Sequence, residues 1–363
     1  MGIHLQKYLK YAAAYSSIFL VTILCSGCQI ADPEHEQLLL TNDKDYQVIS
    51  GTDAVITDMV VSGSDYYPGD TVMAKLNILN KGSQKESFWL GCSISDPLRN
   101  WFDLPAQEIS LEGSETTSVE FSWLVPEEGI GEQLISGPYL LTMAAWSARP
   151  GNEEADRLAT IKQEEAFFVF RYLEDFSSYN RELWEKSSHS LGLGNLDSEN
   201  VKIEDELLKI NLPAGTHDGG QLESREFEHL YGSYRARIKM PDAPSSITGF
   251  FLYRAPDFYH EIDIEVVNDS SGLAWFTTYA DGEVSNTCET YLGFDPTAGF
   301  YEYRFDFYPG SVSFYVDGKL IITFDDGLTD TPMKLMINSW FPAWLEGIKP
   351  EQDAITLVDW IKY

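Results

Sequence analysis

Short runs in which apolar residues occupy every second position recur along most of the chain after residue 53. Thr117–Trp123 (TSVEFSW) is a clear example, with Val119, Phe121 and Trp123 separated by polar residues. Alternation with a period of two is typical of a β-strand that has one buried and one exposed face. Runs with helical spacing are scarce, so the pattern predicts an all-β protein.

Seven such runs lie between residues 54 and 172, and turn residues such as Pro68-Gly69-Asp70 separate them. Seven short strands in this length predict an immunoglobulin-like β-sandwich over residues 54–172. The region holds no convincing catalytic constellation, which favours a spacer or a carbohydrate-proximal accessory module. The predicted strands are Ala54–Gly63, Thr71–Leu79, Phe88–Asp96, Trp101–Leu111, Thr117–Val125, Tyr139–Trp146 and Glu165–Phe170.

The pattern changes after residue 172, where aromatic residues become more frequent and acidic residues alternate with aliphatic ones inside strand-like runs. Only Glu346–Ala354 lacks a strand pattern. We therefore predict a second β domain over residues 173–363, joined to the first near Arg171–Glu174.

The first 28 residues have the pattern of an export signal. Two lysines precede the apolar run Tyr11–Leu24, which is shorter than the ~20 residues of a membrane-spanning helix. Leu24–Cys28 (LCSGC) resembles a bacterial lipobox, which implies a lipoprotein signal peptide over residues 1–27 and lipidation of Cys28. The alternative is an ordinary secretory signal. We expect an exported protein, lipid-anchored to a cell membrane outside the cytoplasm, with residues 28–53 as an acidic tether.

Charge and composition limit the kinds of molecule that the protein could bind. The chain has 57 acidic and 25 basic residues, a net charge of −32, which repels phosphate backbones and anionic lipids. We therefore expect no nucleic-acid partner and membrane association through the lipid anchor only. Aromatic residues make up 13% of the chain, which suits a neutral ligand with flat faces, such as a sugar ring. Cys92 and Cys288 predict buried thiols rather than a disulfide scaffold.

The segment Tyr259–Val267 (YHEIDIEVV) concentrates the candidate chemistry. As a strand, it places Glu261, Asp263 and Glu265 on one face and aliphatic residues on the other. The aliphatic face must lie in the core, so the acidic face lines an accessible surface. A solvated acidic face in a very acidic protein is one interpretation, and catalysis is the other.

Glycosidic bond cleavage fits this row of acids. A retaining glycosidase holds an ionised nucleophile and a protonated acid ~5–5.5 Å apart. A straight strand would separate the Cα atoms of Glu261 and Glu265 by ~13 Å. We therefore expect a concave sheet on which these side chains lean together.

The run Glu261-Ile-Asp263-Ile-Glu265 is similar to the Glu-x-Asp-x-Glu signature of glycoside hydrolase family 16. The resemblance covers about residues 173–363, is strongest to the bacterial lichenases, and implies a concanavalin-like β-jelly-roll sandwich. Further motifs follow in the family's order: Glu174-Asp175-Phe176, Trp184-Glu185-Lys186, Tyr231–Lys239, Leu292–Asp295, Tyr315–Gly318, Met336–Trp340 and Val358–Tyr363.

The resemblance implies that Glu261 is the nucleophile, Asp263 its supporting carboxylate and Glu265 the acid/base. One residue separates Asp263 from Glu265, as in lichenases and xyloglucan-active relatives, whereas laminarinase-type members carry an extra residue there. This favours an endo-acting, retaining hydrolase of mixed-linkage β-1,3-1,4-glucan that forms a covalent glycosyl-enzyme intermediate.

Other site residues come from the same resemblance. Tyr259-His260 and Thr277 depart from the lichenase pattern at positions that bear on the glucan preference. Asp359 matches a residue that helps to hold a structural Ca²⁺, and a turn cap or a pair with Lys362 is the alternative. No cofactor is expected for catalysis. The residues expected to contact sugar are Trp340, Asn338, Glu223, Arg225, Tyr259, Tyr279 and Asn195.

Several functions remain open at this point. The covalent intermediate could be intercepted by a sugar hydroxyl, which would make the protein a transglycosylase. The substrate could also be another β-linked polysaccharide, namely xyloglucan, β-1,3-glucan or a galactan. A non-catalytic polysaccharide-binding surface lipoprotein is the alternative from another class, but it predicts loss of an acid. We expect a monomer whose partner is a β-linked polysaccharide.

Overall fold

The computed structural model describes residues 44–48, 53–127 and 134–363. The signal peptide predicted over residues 1–27, Cys28 and most of the predicted tether lie outside the described residues. Two compact units divide between Tyr172 and Leu173. In the described part of the chain, no helix is long and apolar enough to cross a membrane.

The N-terminal unit consists of two β-sheets. A seven-stranded sheet has the order β1-β10-β9-β5-β6, with β3 on β10 and β7 on β5, and a three-stranded sheet has the order β2-β4-β8. Trp123, Tyr139 and Phe167 pack together between them, with ring centroids 5.5–6.2 Å apart. The strands are β1 (Lys44–Val48), β2 (Ala54–Val61), β3 (Asp65–Tyr66), β4 (Thr71–Asn80), β5 (Glu86–Ser95), β6 (Trp101–Asp103), β7 (Gln107–Leu111), β8 (Thr116–Leu124), β9 (Gly137–Trp146) and β10 (Arg157–Val169).

Two predicted strands of this unit differ from the observed ones. The run Trp101–Leu111 divides into β6 and β7 around Pro105, because proline lacks the N–H that a sheet ladder needs. The predicted strand Glu165–Phe170 is the end of the longer β10. A register shift between Gln163 and Phe167 interrupts the alternation of β10, so its first half escapes the pattern.

The C-terminal unit is a sandwich of two antiparallel sheets with a short 3₁₀ turn, Ser198–Asn200. The outer sheet has the order β15-β16-β27-β18-β23-β24-β25, with β11 on β27, and the cleft sheet has the order β12-β17-β26-β19-β20-β21-β22. The short hairpin β13–β14 stands apart. The strands are β11 (Leu173–Glu174), β12 (Trp184–Lys186), β13 (His189–Leu191), β14 (Gly194–Leu196), β15 (Val201–Glu204), β16 (Leu207–Leu212), β17 (Gly220–Ser224), β18 (Gly232–Lys239), β19 (Ile247–Arg254), β20 (His260–Val267), β21 (Leu273–Ala280), β22 (Glu283–Tyr291), β23 (Tyr301–Tyr308), β24 (Ser311–Val316), β25 (Lys319–Phe324), β26 (Lys334–Trp340) and β27 (Ala354–Lys362).

Aromatic residues join the two sheets of this unit. Phe250 of the cleft sheet packs on Phe305 of the outer sheet, and Phe276 packs on Phe314, with centroid distances of 5.3 and 5.5 Å. Ile262, Ile264 and Val266 of β20 point into the same core and are at most 1% exposed. The opposite face of β20, which carries the acids, therefore points away from the core, as the alternation predicts. The predicted all-β fold with a jelly-roll sandwich is confirmed.

Both predicted thiols are buried, Cys92 in the N-terminal unit and Cys288 on β22. Burial raises the pKa of Cys92 to about 12. This thiol is therefore protonated at neutral pH and unreactive as a nucleophile.

Candidate active site

A cleft of about 280 Å³ lies on the face of the cleft sheet that points away from the core. Four adjacent strands, β17, β26, β19 and β20, supply most of its lining, so the side chains sit on a rigid floor. Carboxylates, amides and aromatic rings are all present. The lining residues are His189, Leu191, Gln221, Glu223, Phe227, Phe251, Tyr253, Ala255, Asp257, Glu261, Asp263, Glu265, Lys334, Met336, Asn338 and Trp340.

The three acids of β20 form a row along this cleft. Glu261 is 5% exposed and Asp263 is 3% exposed, whereas Glu265 is half-buried. The period of two in β20 therefore brings all three to one surface, as predicted. The neighbouring strands cover the acids more closely than a solvated strand face would allow.

The strand beside β20 explains why Glu265 is the most open of the three. In the β19–β20 register, Tyr253 lies opposite Glu261 and Phe251 lies opposite Asp263, but Gly249 lies opposite Glu265. A Cβ atom at Gly249 would stand 2.9 Å from the Asn338 Oδ1 atom. The Asn338 side chain therefore fills the space that a larger residue would need, and β19 places no side chain opposite Glu265.

An ion-pair network occupies the other side of the cleft. The Lys334 Nζ atom donates hydrogen bonds to Glu185 at 2.7 Å and to Glu223 at 2.8 Å. The Gln221 side chain donates to the second oxygen of Glu223 at 2.6 Å. Because β12, β17 and β26 each contribute one charged group, the network ties three strands together at the cleft wall.

The protonation of this network follows from its geometry. Burial is the largest single effect and disfavours the ionised form of Glu223, but the hydrogen bonds to its carboxylate and the charge of Lys334 together outweigh it, so the pKa of Glu223 lies below its ordinary value. Burial also disfavours the charged form of Lys334, yet its hydrogen bonds to Glu185 and Glu223 raise the pKa of Lys334. The lowered pKa of Glu223 and the raised pKa of Lys334 both favour the charged forms, so the pair is ionised at neutral pH.

Three of the predicted sugar-contacting residues line the cleft: Glu223, Asn338 and Trp340. Trp340 is only 4% exposed. A Cβ atom at Gly192 would lie 2.7 Å from its ring, and the Trp344 ring packs edge-on at 5.3 Å. Trp340 therefore offers the cleft a limited part of its ring rather than the open platform that its motif predicts.

Four predicted sugar-contacting residues are not brought to the cleft. Arg225 donates to the Arg181 carbonyl and pairs with Glu185. Asn195 bonds within the β13–β14 hairpin and to Asp218. Tyr279 is 1% exposed and packs against Phe258. Tyr259 is 44% exposed but lines a different depression.

Asp359, which the family resemblance predicts as a calcium ligand, pairs through its carboxylate with the Arg237 guanidinium. Among the described residues, no group of three His, Cys, Asp or Glu side chains could hold a metal ion. Calcium binding therefore stays a prediction, and no step below depends on it.

Several cleft residues were not singled out from the sequence. Phe251 and Tyr253 lie on β19 and are the register partners of Asp263 and Glu261. Lys334 lies opposite Tyr253 on β26. The motif Met336–Trp340 begins two residues after Lys334, and extending its alternation backwards would have placed Lys334 on the cleft face.

A row of nearly buried carboxylates in a cleft that also carries aromatic rings and amides defines a carbohydrate-active enzyme that uses acids for its chemistry. Comparison with known proteins agrees with this class. The sequence model of the glycosyl hydrolases family 16 matches residues 194–362. A β-glucanase of Paenibacillus polymyxa is 30% identical over 207 residues, which cover 53% of this chain and 87% of that protein.

Two further similarities were found. A β-glucanase of Paenibacillus macerans is 29% identical over 206 residues, again 53% of this chain and 87% of the relative. The solved structure of the Bacillus licheniformis β-glucanase has 26% sequence identity and a TM-score of 0.48, and it covers 53% of this chain and 96% of that one. The chain belongs to glycosyl hydrolase family 16 and is an O-glycosyl hydrolase.

Proposed function

We propose that this protein is an endo-acting, retaining glycoside hydrolase that cleaves β-glucan. One observation carries the proposal: Glu261, Asp263 and Glu265 share one face of β20 and line a cleft with aromatic residues on the adjacent strands. The β-glucanase relatives support β-glucan as the substrate class. A neutral polymer also suits a chain with a net charge of −32, because such a charge opposes the binding of sulfated or carboxylated glycans.

In the proposed mechanism, the Glu261 carboxylate attacks the anomeric carbon of the sugar. A bond forms between that carbon and a Glu261 oxygen while the glycosidic C–O bond breaks, and Glu265 donates its proton to the leaving oxygen. In the second step, Glu265 takes a proton from a water molecule, whose oxygen displaces Glu261 from the anomeric carbon. The greater exposure of Glu265 supports this assignment, because the acid/base must meet both the leaving group and water.

Asp263 has an electrostatic role in this scheme. Its charge and that of Glu261 favour the protonated form of Glu265 before the attack. Ester formation at Glu261 removes one of these charges, which favours the ionised form of Glu265 that the second step needs. The row of three acids on one face thus provides both states of the acid/base.

The linkage preference is tested by product analysis. The single residue between Asp263 and Glu265 leads us to expect that barley β-glucan and lichenan are cleaved at β-1,4 bonds that follow a β-1,3-linked glucose. Chromatography of the products should show short oligosaccharides early in the reaction, as endo-acting cleavage requires. Cleavage of pure β-1,3-glucan at an equal or higher rate would overturn the mixed-linkage preference but not the mechanism. Oligosaccharides longer than the substrate would instead indicate transglycosylation.

We propose that the N-terminal unit is an immunoglobulin-like sandwich that acts as a spacer or accessory module. A shortened chain that begins at Arg171 should therefore retain full activity on soluble β-glucan, because every residue lining the cleft falls between His189 and Trp340. Reducing-sugar release by the full and shortened chains is the measurement. A shortened chain that folds, as judged by circular dichroism, and yet is inactive would disprove this division.

We propose that the protein is exported and lipid-anchored through Cys28, and the lipobox-like Leu24–Cys28 supports this. In bacteria that express the full chain, we expect labelled fatty acid on the wild type and none on Cys28→Ser. The wild type should partition into the detergent phase and the variant into the aqueous phase. Equal labelling of the two chains would refute the assignment.

A further inference from the structure

Two residues of the cleft wall, Phe227 and Asp257, take no part in the proposed bond cleavage. Phe227 belongs to the segment that follows β17, Asp257 belongs to the loop between β19 and β20, and both line the cleft. Tyr253 of β19 is the register partner of Glu261, and the loop continues from β19 beyond that pair. This wall is therefore closer to Glu261 than to Glu265.

The Asp257 carboxylate has one bonded oxygen and one buried oxygen that lacks a donor. The Tyr253 hydroxyl donates a hydrogen bond to its Oδ1 atom. Within the part of the chain that the structure describes, the buried Oδ2 atom has no hydrogen-bond partner, although the residue as a whole is half-buried. A buried acceptor without a donor is costly, and native proteins rarely keep one unless a ligand or a water molecule completes it. Because Asp257 lines the cleft, a ligand in the cleft can supply that donor.

The loop that carries Asp257 is fixed by contacts of the next residue. The Phe258 carbonyl accepts a hydrogen bond from the Gly282 N–H at 3.1 Å. The Phe258 ring packs against the Tyr279 ring, with the two centroids 5.7 Å apart. The carboxylate is thus held in place before a ligand arrives, so binding does not have to pay the entropy of ordering the loop.

Phe227 adds an apolar surface to the same wall. It is 47% exposed while lining the cleft. The guanidinium carbon of Arg254 and the Lys334 Nζ atom lie 5.0 and 5.3 Å from the centroid of its ring, and cation–π attraction favours this arrangement. Arg254 also donates to the Pro332 carbonyl at 3.1 Å. An exposed ring beside an unfilled acceptor matches a sugar ring, which has an apolar C–H face and hydroxyl groups around its rim.

We propose that Asp257 and Phe227 recognise a sugar of the glycone, the part of the substrate that becomes bonded to Glu261. The Asp257 Oδ2 atom accepts a hydrogen bond from a hydroxyl of that sugar, and the Phe227 ring packs against the same sugar. The wall faces the glycone because it lies at the Glu261 end of the row of acids, whereas the leaving group meets Glu265. The two residues thus set how strongly the enzyme prefers a long glycone. Identifying the glycone as a glucan rests on the proposed function.

The test uses aryl β-glucosides that share one fluorescent leaving group and differ only in the glycone, from a single glucose unit to a mixed-linkage tetrasaccharide. For the wild-type chain, kcat/KM should rise as the glycone lengthens. Asp257→Ala should remove about 10- to 100-fold of this rise, the range for a hydrogen bond to a charged group. Phe227→Ala should remove about 2- to 10-fold, the range for one aromatic contact.

The length series separates recognition from damage to the fold. On the shortest glucoside that the wild type cleaves, Asp257→Ala and Phe227→Ala should both match the wild type. An equal loss at every length would show a general structural defect and refute the recognition role. Asp325→Ala and Tyr291→Ala are the matched controls, because both residues are exposed and neither lines the cleft. Both controls should keep the wild-type dependence on length.

Two further measurements apply if Asp257→Ala does not fold. Asp257→Asn preserves the shape and the acceptor for Tyr253 but removes the second acceptor, and it should also reduce the rise with length. Crystals of the Glu261→Gln protein soaked in a mixed-linkage tetrasaccharide should show a sugar hydroxyl within about 3.2 Å of the Asp257 carboxylate. Sugar bound in the cleft without this contact would overturn the proposal.

Failure of the proposed function would look different. In that case the wild type would not release sugar from barley β-glucan. Native gels that contain laminarin, xyloglucan or galactan would then report binding by the Glu261→Gln protein. Retardation that weakens when Asp257→Ala is added would support recognition of another glycan by the same wall. Retardation on none of these polymers, or retardation that Asp257→Ala leaves unchanged, would overturn it.

Discussion

Glu261→Gln and Glu265→Gln should each lower β-glucan turnover by at least about 1,000-fold, because each removes a group that makes or breaks a covalent bond in the reaction. The amides are close in size to the acids, and both positions lie in a cleft rather than in the apolar core. The folded state should therefore persist, and circular dichroism should show wild-type spectra. Release of reducing sugar from barley β-glucan measures the loss.

Rescue by azide tests whether Glu261 is the nucleophile. With Glu261→Ala, azide can occupy the vacated space and attack the anomeric carbon from the same side as the missing carboxylate. The product should be a glycosyl azide of inverted configuration, which proton NMR identifies. Glu289→Gln is the control, because Glu289 lies on the same sheet, bonds to Trp275 and does not line the cleft. Substantial turnover in both amide variants would rule out the assignment of these acids.

Lys334→Met should cause the largest loss of stability among substitutions at the cleft wall. Lys334 is 11% exposed and bridges Glu223, which is 13% exposed, and Glu185, which is 35% exposed. Removing the cation leaves two carboxylates without their shared partner. Breaking a fully buried pair costs about 3–5 kcal/mol, and the partial exposure of Glu185 reduces this, so we expect about 2–3 kcal/mol at pH 7. Urea unfolding is the measurement.

The pH dependence of this effect has a defined sign. Because the pKa of Glu223 is lower in the folded state, this group stabilises the fold at pH values above its ordinary pKa of 4.5. The stabilisation is lost as the pH falls through the pKa of the folded state. Because the pKa of Lys334 is higher in the folded state, this group stabilises the fold at pH values below its ordinary pKa of 10.5. The stabilisation is lost as the pH rises through the pKa of the folded state. The difference in the free energy of unfolding between the wild type and Lys334→Met should therefore be largest between these two pH limits and become smaller outside them.

A lysine in an exposed ion pair provides the control that tests whether burial causes the loss of stability. Lys209 pairs with Asp205 at 2.6 Å in the same unit, but Asp205 is 82% exposed. Lys209→Met should therefore leave the urea midpoint close to that of the wild type. If the two lysine variants are equally stable, the buried network does not contribute as argued.

The sequence predicted the parts of the site that depend on one strand. Glu261, Asp263 and Glu265 share a face because a strand has a period of two, whatever surrounds it. Phe251, Tyr253 and Lys334 reach the cleft through the pairing of β20 with β19 and of β19 with β26. That pairing joins residues as far as 93 positions apart, as for Ile247 and Trp340, and alternation within a segment contains no information about it.

For a related reason, the sequence pattern could not show which of the remaining side chains are buried. Tyr279 and Tyr259 both belong to strand-like runs that border the acids, so either could contact a sugar on sequence grounds. Tyr279 faces Phe258 and is enclosed, whereas Tyr259 lies beyond the start of β20 and packs on the β21–β22 turn. The orientation of each ring depends on neighbouring loops, whose positions only the folded structure supplies.

The positions of β26 and β27 also bear on when the enzyme can form. β27 lies between β16 and β18 in the outer sheet, and β26 lies between β17 and β19 in the cleft sheet. Strands made early are thus joined by strands made late: the cleft sheet cannot be completed before the chain has reached residue 340, nor the outer sheet before residue 362. Such distant pairing slows folding. A chain that stays unfolded until its last strand is available would suit the export that we propose, since a secretion channel passes unfolded chains.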